Sequence, residues 1–407
     1  MPSRIDAPWL REPARASVFK ALAAGGHAAR AVGGAVRNSI LGLPIEDVDI
    51  ATPATPQQVM AAAQAAGLKA LPTGIAHGTI TIIAEGTPTE VTTLRHDVET
   101  HGRHATVAFT DDWSQDAARR DFTMNALYCD ADGTLHDPLG GYADIVARRV
   151  RFIGDAATRI REDTLRILRF FRFNARYGEG VPDAAGMAAC VAERAGLAQL
   201  SGERVQQELR RLLVARRAGE MCVLLYEHGL LGLVLGRAPR VARLTRLIAI
   251  ETETGAAPDF ALRLGLLAVE VPEDARHLQQ RLRLSNTETL RLMHVATLPA
   301  WPCAPQAATA RRWLYRGGEV RFRDHVLGAW ARHGAEPGAA TWREVLTLPQ
   351  RWPVPRFALS GADAKAAGIA PGPAVGEALA RAEEAWVESD FTLSPEALRA
   401  LLAPRRA

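Results

Sequence analysis

The sequence contains little lysine and cysteine and no long hydrophobic run. Only three of its 49 basic residues are lysines, so 46 are arginines, and its four cysteines are widely spaced, with no CxxC pair. Scattered cysteines argue against a disulfide framework or a zinc site and are typical of buried free thiols in a reducing cytosol. The absence of about 18 consecutive apolar residues excludes a membrane-spanning helix. The first ten residues lack a signal-peptide core, so we expect a cytoplasmic protein.

The remaining composition is that of a globular protein. Among 407 residues, 48% are hydrophobic and 23% are charged, which excludes disorder as the main state and favours two or three domains. The net charge is only +4, although the pI is about 9.1. The arginine total is explained by a GC-rich genome, whereas arginines that cluster in motifs indicate phosphate binding.

The chain changes character along its length, which predicts an α+β fold. A helix precedes residue 30, and short strands and helices alternate from 30 to about 135, with a β-hairpin over 78–94 and a β-rich stretch over 123–129. From residue 158 onward the pattern is helical, beginning with a helix over 158–177. We therefore expect a catalytic head with a small mixed sheet, followed by a long all-helical region.

A glycine pair opens the first motif, residues 32–38 (VGGAVRN). Gly33 and Gly34 precede a predicted helix, so backbone N–H groups can approach an anion closely, and Arg37 lies one turn inside that helix. Asp47 and Asp49 follow on a predicted strand, where residues i and i+2 face the same side. Two adjacent carboxylates repel each other unless a cation lies between them.

Two carboxylates combined with substrate phosphates are a common way for proteins to hold Mg²⁺. Glu90, on a nearby predicted strand, is either an exposed strand residue or a third carboxylate that completes a two-metal site. In the second case Glu90 also helps to remove the proton from an attacking hydroxyl. The pattern therefore predicts Asp47, Asp49 and Glu90 as the catalytic residues.

Two further motifs carry charged residues suited to a nucleotide. In residues 118–127, Arg120 can bind a phosphate and Asp121 can accept a hydrogen bond from a ribose hydroxyl. In residues 159–173, Asp163 and Arg166 offer an acceptor beside a donor, which matches the exposed edges of cytosine and adenine. Uracil and guanine present the opposite order, so their binding would cost about 2–5 kcal/mol.

Together these motifs resemble the class II tRNA nucleotidyltransferase and bacterial poly(A) polymerase family. The stretches that carry the resemblance are GGAVR, DVD, RRDFTMNA and EDTLRILR, with DPLGG and SGERVQQEL behind them, in the family's order from residue 30 to about 213. One position departs from the common pattern, because Asn38 stands where the first motif usually ends in aspartate. We expect a change in local packing or pKa there without loss of activity.

The resemblance implies a polymerase-β-like nucleotidyltransferase head followed by an all-helical neck, body and tail. The corresponding parts are an N-terminal helix (1–29), the head (30–136), the neck (137–200), the body (201–350) and the tail (351–407). Residues 95–110 correspond to the family's flexible loop, which is implicated in the switch from C to A addition.

The implied activity is addition of CCA to the 3′ end of tRNA from CTP and ATP, with Mg²⁺ held by Asp47 and Asp49. The tRNA would be contacted at its acceptor stem and elbow by the body and tail, with strong salt dependence. Glu162 is expected to orient Arg166. The implied nucleotide-binding residues are Gly33, Gly34, Arg37, Arg120, Asp121, Asn125, Glu162, Asp163, Arg166, Arg169 and Arg172.

Three other functions remain open at this point. A poly(A) polymerase on the same scaffold usually carries a long basic C-terminal tail, and the short ending over 403–407 argues against it. A CC-only adding enzyme is disfavoured because the loop over 95–110 looks intact. A non-catalytic RNA-binding protein would have no reason to keep two repelling aspartates.

The aspartate pair gives the first testable prediction. Asp47→Ala and Asp49→Ala should each abolish nucleotide addition and leave RNA binding intact, because these carboxylates serve the metal and not the RNA. Addition can be followed with labelled nucleotide, and binding with labelled tRNA. If neither activity changes, the assignment of the metal site is wrong.

Overall fold

The computed structural model describes residues 1–101, 104–298, 304–334, 336 and 339–402. The chain divides into two compact units, Met1–Arg237 and Ala238–Ala407. Among the described residues, no helix is long and apolar enough to cross a membrane. Cys129 and Cys190 are buried free thiols, as expected, and Cys222 is also buried, whereas Cys303 and residues 403–407 lie outside the described part of the chain.

The first unit contains all the strands in the described part of the chain. They are β1 (Arg30–Val32), β2 (Asp49–Thr52), β3 (Lys69–Gly74), β4 (Thr79–Ala84), β5 (Thr87–Thr93), β6 (Arg95–His101), β7 (His104–Phe109), β8 (Tyr128–Asp130) and β9 (Leu135–His136). Seven strands form one sheet in the order β3-β4-β5-β2-β1-β8-β9, and β6 pairs with β7. Only β2 and β5 run parallel, so the sheet is mixed, as predicted.

The helices of the first unit surround and follow this sheet. They are α1 (Pro13–Ala24), α2 (Gly34–Leu41), α3 (Pro56–Ala65), α4 (Trp113–Ala118), α5 (Gly141–Val146), α6 (Ala156–Glu162), α7 (Leu165–Arg176), α8 (Ala184–Ala192), α9 (Gly202–Leu213), α10 (Ala218–Glu227) and α11 (Leu230–Leu235). Helices α1 and α3 pack on the sheet, and α7 packs against α9 and α10. Thr55 and Gln58 form a capping box that starts α3 at Pro56.

The second unit is helical throughout its described residues. Its helices are α12 (Val241–Thr254), α13 (Phe260–Ala268), α14 (Pro272–Leu282), α15 (Asn286–Ala296), α16 (Ala307–His333), α17 (Ala340–Leu346), α18 (Leu348–Arg351), α19 (Gly361–Ala366), α20 (Pro373–Glu388) and α21 (Pro395–Leu402). One hydrophobic cluster contains the stacked rings of Trp330 and Trp342, whose centroids lie 5.8 Å apart. A second cluster surrounds Trp386.

The structure corrects three local predictions. Thr123–Asn125 is a 3-10 turn and only Tyr128–Asp130 is a strand, because the Thr123 hydroxyl and N–H bond to Asp144 and to the Arg151 carbonyl. The helix predicted over 158–177 breaks between α6 and α7, where Asp163 is extended. The segment expected to be a loop forms the β6–β7 ribbon, apart from residues 102 and 103, which lie outside the described residues.

Candidate active site

The glycine pair forms the turn that leads from β1 into α2. Gly33 has a φ of 72°, a conformation that favours glycine, and α2 begins at Gly34. A Cβ at Gly33 would lie 3.8 Å from Nη1 of Arg120, so Arg120 approaches this turn from the second motif. The sequence prediction of a glycine turn before a helix is therefore confirmed, and the start of α2 faces the site.

Arg37 is buried and is held entirely by uncharged partners. Its guanidinium donates to the side-chain oxygens of Asn38 and Asn125 and to the Tyr177 hydroxyl at 2.7 Å, and it stacks on the Tyr177 ring at 4.0 Å. Burial lowers the pKa of Arg37 to about 10, so the group stays cationic at neutral pH. Because none of these partners is a carboxylate, the positive charge of Arg37 remains available to attract an anion.

The structure gives a physical account of Asn38. Its side-chain oxygen accepts two bonds from Arg37, at 2.9 and 3.2 Å, and its Nδ2 donates to the Pro44 carbonyl at 2.7 Å. An aspartate could make the first contact but could not donate to Pro44. Asn38 thus ties α2 to the segment that leads into Asp47, and it does so without neutralising Arg37.

The aspartates of the DVD motif lie beside Glu90. Asp49 begins β2 and Asp47 lies just before that strand; both side chains are exposed, whereas the intervening Val48 is buried. Ile50 pairs with Val91 across the parallel strands, which brings Asp49 beside Glu90. The protein around Asp49 still removes part of its side chain from water, and this partial burial, followed by the charges of Glu90 and Asp47, raises the pKa of Asp49. The neighbouring carboxylates therefore disfavour the charge of Asp49.

Arg120 and Asp121 are both engaged in ion pairs. Arg120 pairs with the buried Asp116 at 2.9 Å, which outweighs the effect of burial and raises the pKa of Arg120. One oxygen of Asp121 accepts two bonds from Arg169, while the other accepts from the Phe122 N–H and the Asn125 side chain. Burial opposes ionisation of Asp121, but Arg169 and these bonds lower its pKa to about 2.

In this structure Asp121 positions other site residues, and its predicted contact with a ribose hydroxyl stays a prediction. A carboxylate offers about four acceptor positions, and four donors already occupy them. Asp121 holds Arg169 directly and reaches Arg37 through Asn125. The RRD motif therefore links the two arginine-bearing helices α2 and α7.

Glu208 on α9 continues this network to the last predicted arginine. It bonds Nε of Arg172 and lies 3.5 Å from Nη1 of Arg169. Arg172 also stacks on Phe173 at 4.4 Å. Burial lowers the pKa of Arg172, and Glu208 opposes that effect. Since Glu208 of α9 holds both arginines and Asp121 of the head also holds Arg169, their side chains are fixed before any substrate binds.

These side chains surround one polar cleft of about 290 Å³. The predicted site residues that line it are Gly34, Arg37, Asp47, Asp49, Asn125, Arg169 and Arg172. Next to these residues, but outside the lining of the cleft, lie Gly33, Arg120 and Asp121. Glu90 neighbours Asp49. The cleft thus places a helix N-terminus and several guanidinium groups beside two carboxylates, which suits a phosphate chain with a bound cation.

The predicted base-recognition residues lie at the junction of α6 and α7 and not in the wall of this cleft. Glu162 accepts a hydrogen bond from Arg166, as expected of a residue that orients it. Asp163 accepts from the Leu165 N–H at 3.2 Å and from Arg204 of α9 at 2.7 Å. Asp163 and Arg166 therefore have separate protein partners, and each keeps part of its bonding capacity, because carboxylates accept about four bonds and arginine donates five.

Sequence reasoning missed several residues of the site. Arg176, Tyr177 and Arg211 line the cleft, and Arg204 holds Asp163. Arg176 could have been found, because it follows Arg172 by four residues and so continues the same helical stripe. Arg204 and Arg211 lie on another helix, α9, and no spacing in the sequence indicates which side chains they meet.

Comparisons with known proteins identify relatives along nearly the whole chain. A family sequence model described as the poly A polymerase head domain matches residues 29–151. The mitochondrial CCA tRNA nucleotidyltransferase 1 of Danio rerio is 35% identical over 392 residues, which are 92% of this chain and 86% of that protein. The CCA-adding enzyme of Lacticaseibacillus paracasei is 33% identical over 397 residues, 95% of this chain and 94% of the relative.

A solved structure gives the same result. The crystal structure of the Bacillus stearothermophilus CCA-adding enzyme in complex with CTP superimposes with a TM-score of 0.74 at 31% identity. The match covers 98% of this chain and 97% of the other. The similarity therefore extends beyond the head into both units, and the fold predicted from the sequence is confirmed.

The buried Asp121 generates a prediction about stability and pH. Asp121→Asn should lower the free energy of unfolding by about 2 kcal/mol near neutral pH, because Arg169 loses its carboxylate. The folded-state pKa lies below the unfolded value, so the carboxylate stabilises the fold above about pH 4. This stabilisation is lost as the pH falls toward 2, and the difference between wild type and variant should shrink over that range.

Urea unfolding curves at several pH values measure this difference. The matched control is Asp111→Asn at an exposed position of the same region, which should cost much less. An equal loss in both variants, or a difference that is constant with pH, would contradict the assigned ion pair.

Proposed function

This chain belongs to the CCA tRNA nucleotidyltransferase family, and we infer that it adds cytidine, cytidine and adenosine in turn to the 3′ end of tRNA. It uses CTP and ATP and needs no nucleic-acid template. The observation that carries this function is the cleft in which Asp47 and Asp49 face Arg37, Arg169 and Arg172. Such a cleft can bind a nucleoside triphosphate and neutralise charge at its phosphates.

We propose Mg²⁺ as the cation, with Asp47 and Asp49 as its protein ligands. The fit rests on the raised pKa of Asp49. The neighbouring carboxylates disfavour ionisation of Asp49, and a bound divalent cation would offset that repulsion. Among the described residues, no three His, Cys, Asp or Glu side chains form a metal-binding cluster, so phosphate oxygens and water would complete the coordination. A bound divalent cation supplies Lewis-acid polarisation of phosphoryl oxygens.

The chain's own residues would bind and orient the substrates. Arg37, Arg169 and Arg172 attract the triphosphate, and the Asp121 and Glu208 contacts fix the last two arginines. Glu90, which neighbours Asp49, would act as a general base that accepts the proton of the attacking 3′-hydroxyl of the RNA. Gly33 and Gly34 leave the start of α2 open to the phosphates.

Base selection is proposed to depend on Asp163 and Arg166. Glu162 and Arg204 hold these two side chains from either side, so the acceptor and the donor have fixed positions. Cytosine and adenine can bond to such a pair through an amino group and a ring nitrogen. A base with the opposite order would set an acceptor against Asp163 and a donor against Arg166, and both contacts would be repulsive.

The division into domains and the cellular location are also proposals. We propose that the chain consists of an N-terminal helix (1–29), a head (30–136), a neck (137–200), a body (201–350) and a tail (351–407). The buried free thiols of Cys129 and Cys190 support a reducing compartment, and we propose the cytoplasm. Some relatives carry mitochondrial names, so fractionation of the native cells would test this location.

An addition assay tests the proposed function. The purified protein receives Mg²⁺ and tRNA transcripts that end at the discriminator base, at C or at CC, with each nucleotide supplied alone and together. We expect growth to CCA and then a stop, read by sequencing of the 3′ ends. Long A tails would instead identify a poly(A) polymerase, and arrest at CC would identify a CC-only enzyme.

The same assay tests base selection. Asp163→Ala should reduce the preference for CTP over UTP at least tenfold in kcat/KM, because the variant no longer distinguishes the amino group. Arg161→Ala is the matched control, since Arg161 lies on α6, is exposed and pairs with Glu193. An unchanged preference in Asp163→Ala would contradict the assigned role.

A further inference from the structure

Helix α16 of the second unit is interrupted at a pair of glycines. Gly318 has φ 70° and ψ 175°, a backbone conformation that is essentially restricted to glycine. Gly317 precedes it, so the sequence itself provides the break. The two halves of α16 therefore run in different directions on either side of this position.

The kink brings together side chains that a straight helix would separate. At 100° per residue, Arg312 and Arg316 would share one face, whereas Arg321 and His325 would point to the opposite side. In the structure all four line a single pocket of about 350 Å³. Its full lining is Thr309, Arg312, Trp313, Arg316, Gly317, Arg321 and His325.

The pocket is positively charged, and no lining residue is acidic. Arg316 forms an exposed pair with Glu384, which is weakened by solvent and salt. Arg312 donates to the Glu388 carbonyl at 2.7 Å, while its buried Nε–H has no partner. Arg321 contacts Nδ1 of His294 at 3.1 Å. At least two guanidinium groups are thus held here without a carboxylate, which favours an anionic ligand.

Two aromatic side chains line the pocket together with these arginines. The rings of Trp313 and His325 have centroids 4.0 Å apart, and the Nδ1 atom of His325 contacts the Arg321 carbonyl at 2.7 Å. Burial lowers the pKa of His325 to about 4, so this ring is neutral at physiological pH. A neutral aromatic surface flanked by guanidinium groups offers stacking for a base together with contacts for phosphates.

We propose that this pocket binds a segment of RNA, with its phosphates on Arg312, Arg316 and Arg321 and an exposed base against Trp313, whose ring packs on the buried His325. The three arginines are spread along one helix, α16. This arrangement suits successive phosphates of an RNA strand better than it suits a single small anion. The second unit also carries the chain's excess of positive charge, with 22 basic against 18 acidic residues, whereas the first unit has 27 of each. The inference rests on the proposed function, which supplies tRNA as the ligand.

Two exposed arginines allow a test that leaves the fold intact. The double variant Arg316→Ala/Arg321→Ala is compared with Arg4→Ala/Arg11→Ala, which removes the same charge from exposed positions of the N-terminal segment, outside the body and tail. Thermal melting confirms that both are folded. Equilibrium binding of tRNA is measured at several salt concentrations, and CTP binding is measured in parallel.

We expect the pocket variant to bind tRNA about tenfold more weakly at low salt and the control variant to change little. The slope of log K against log salt should fall in magnitude by roughly 1.5, which corresponds to two lost phosphate contacts at about 0.7–0.9 each. CTP affinity should not change. The charge-conserving variant Arg316→Lys/Arg321→Lys should recover most of the slope.

Equal effects of the two alanine pairs on tRNA binding would overturn the inference and leave the proposed function standing. Weaker CTP binding with unchanged tRNA binding would also overturn it, because the ligand would then be a free nucleotide. A wild-type protein that neither binds tRNA nor extends it would contradict the proposed function itself, and this inference with it.

Discussion

The paired contact between Asp121 and Arg169 is the interaction on which the candidate active site depends. It joins the loop after α4 to α7, and the two residues are 48 positions apart in sequence. Asn125 extends the contact to Arg37, and Glu208 extends it to Arg172. If this pair were absent, Arg169 would keep only the Glu208 carboxylate, at 3.5 Å, and the connection from Arg169 through Asp121 and Asn125 to Arg37 would be lost.

The same network leaves some of the charged groups in the cleft without a counter-charge beside them. Arg37 is buried among neutral groups, and Asp49 faces other carboxylates, so positive and negative groups line one cleft without neutralising each other directly. Holding these charges apart costs free energy, which the surrounding hydrogen bonds offset. A nucleoside triphosphate with its cation carries the complementary charges in a matching order. The site is therefore preorganised for that substrate.

Local features of the fold were predictable because they depend on neighbouring residues. The Gly33 turn, the start of α3 at Pro56 and the hairpin of β4 and β5 follow from glycine, capping and alternating patterns. The turn at Thr123 was missed because Asp144, 21 residues away, holds its hydroxyl. The β6–β7 ribbon was missed because β6 contains acidic residues such as Asp97 and Glu99, which are uncommon in strands.

The residues of the candidate site were predictable from the sequence to a similar extent. Motif chemistry pointed to the aspartates and arginines that line the cleft, since their residue types suit a cation and phosphates. It did not predict that Asp121 would be saturated by Arg169, or that Asp163 would pair with Arg204, because both depend on how α7 and α9 pack. Pairing among 46 arginines and 45 acidic residues is set by tertiary structure, and the sequence alone leaves many combinations possible.

The most direct test of this network is the affinity of the Arg169→Lys variant for CTP, measured by calorimetry in the presence of Mg²⁺. Lysine keeps the charge but cannot make the paired contact with Asp121. We predict at least a tenfold loss of affinity in Arg169→Lys and little change in Arg211→Lys, an exposed arginine that lines the same cleft. Equal, near-wild-type affinities in the two variants would show that the cleft needs only positive charge and would contradict the central role of the Asp121–Arg169 pair.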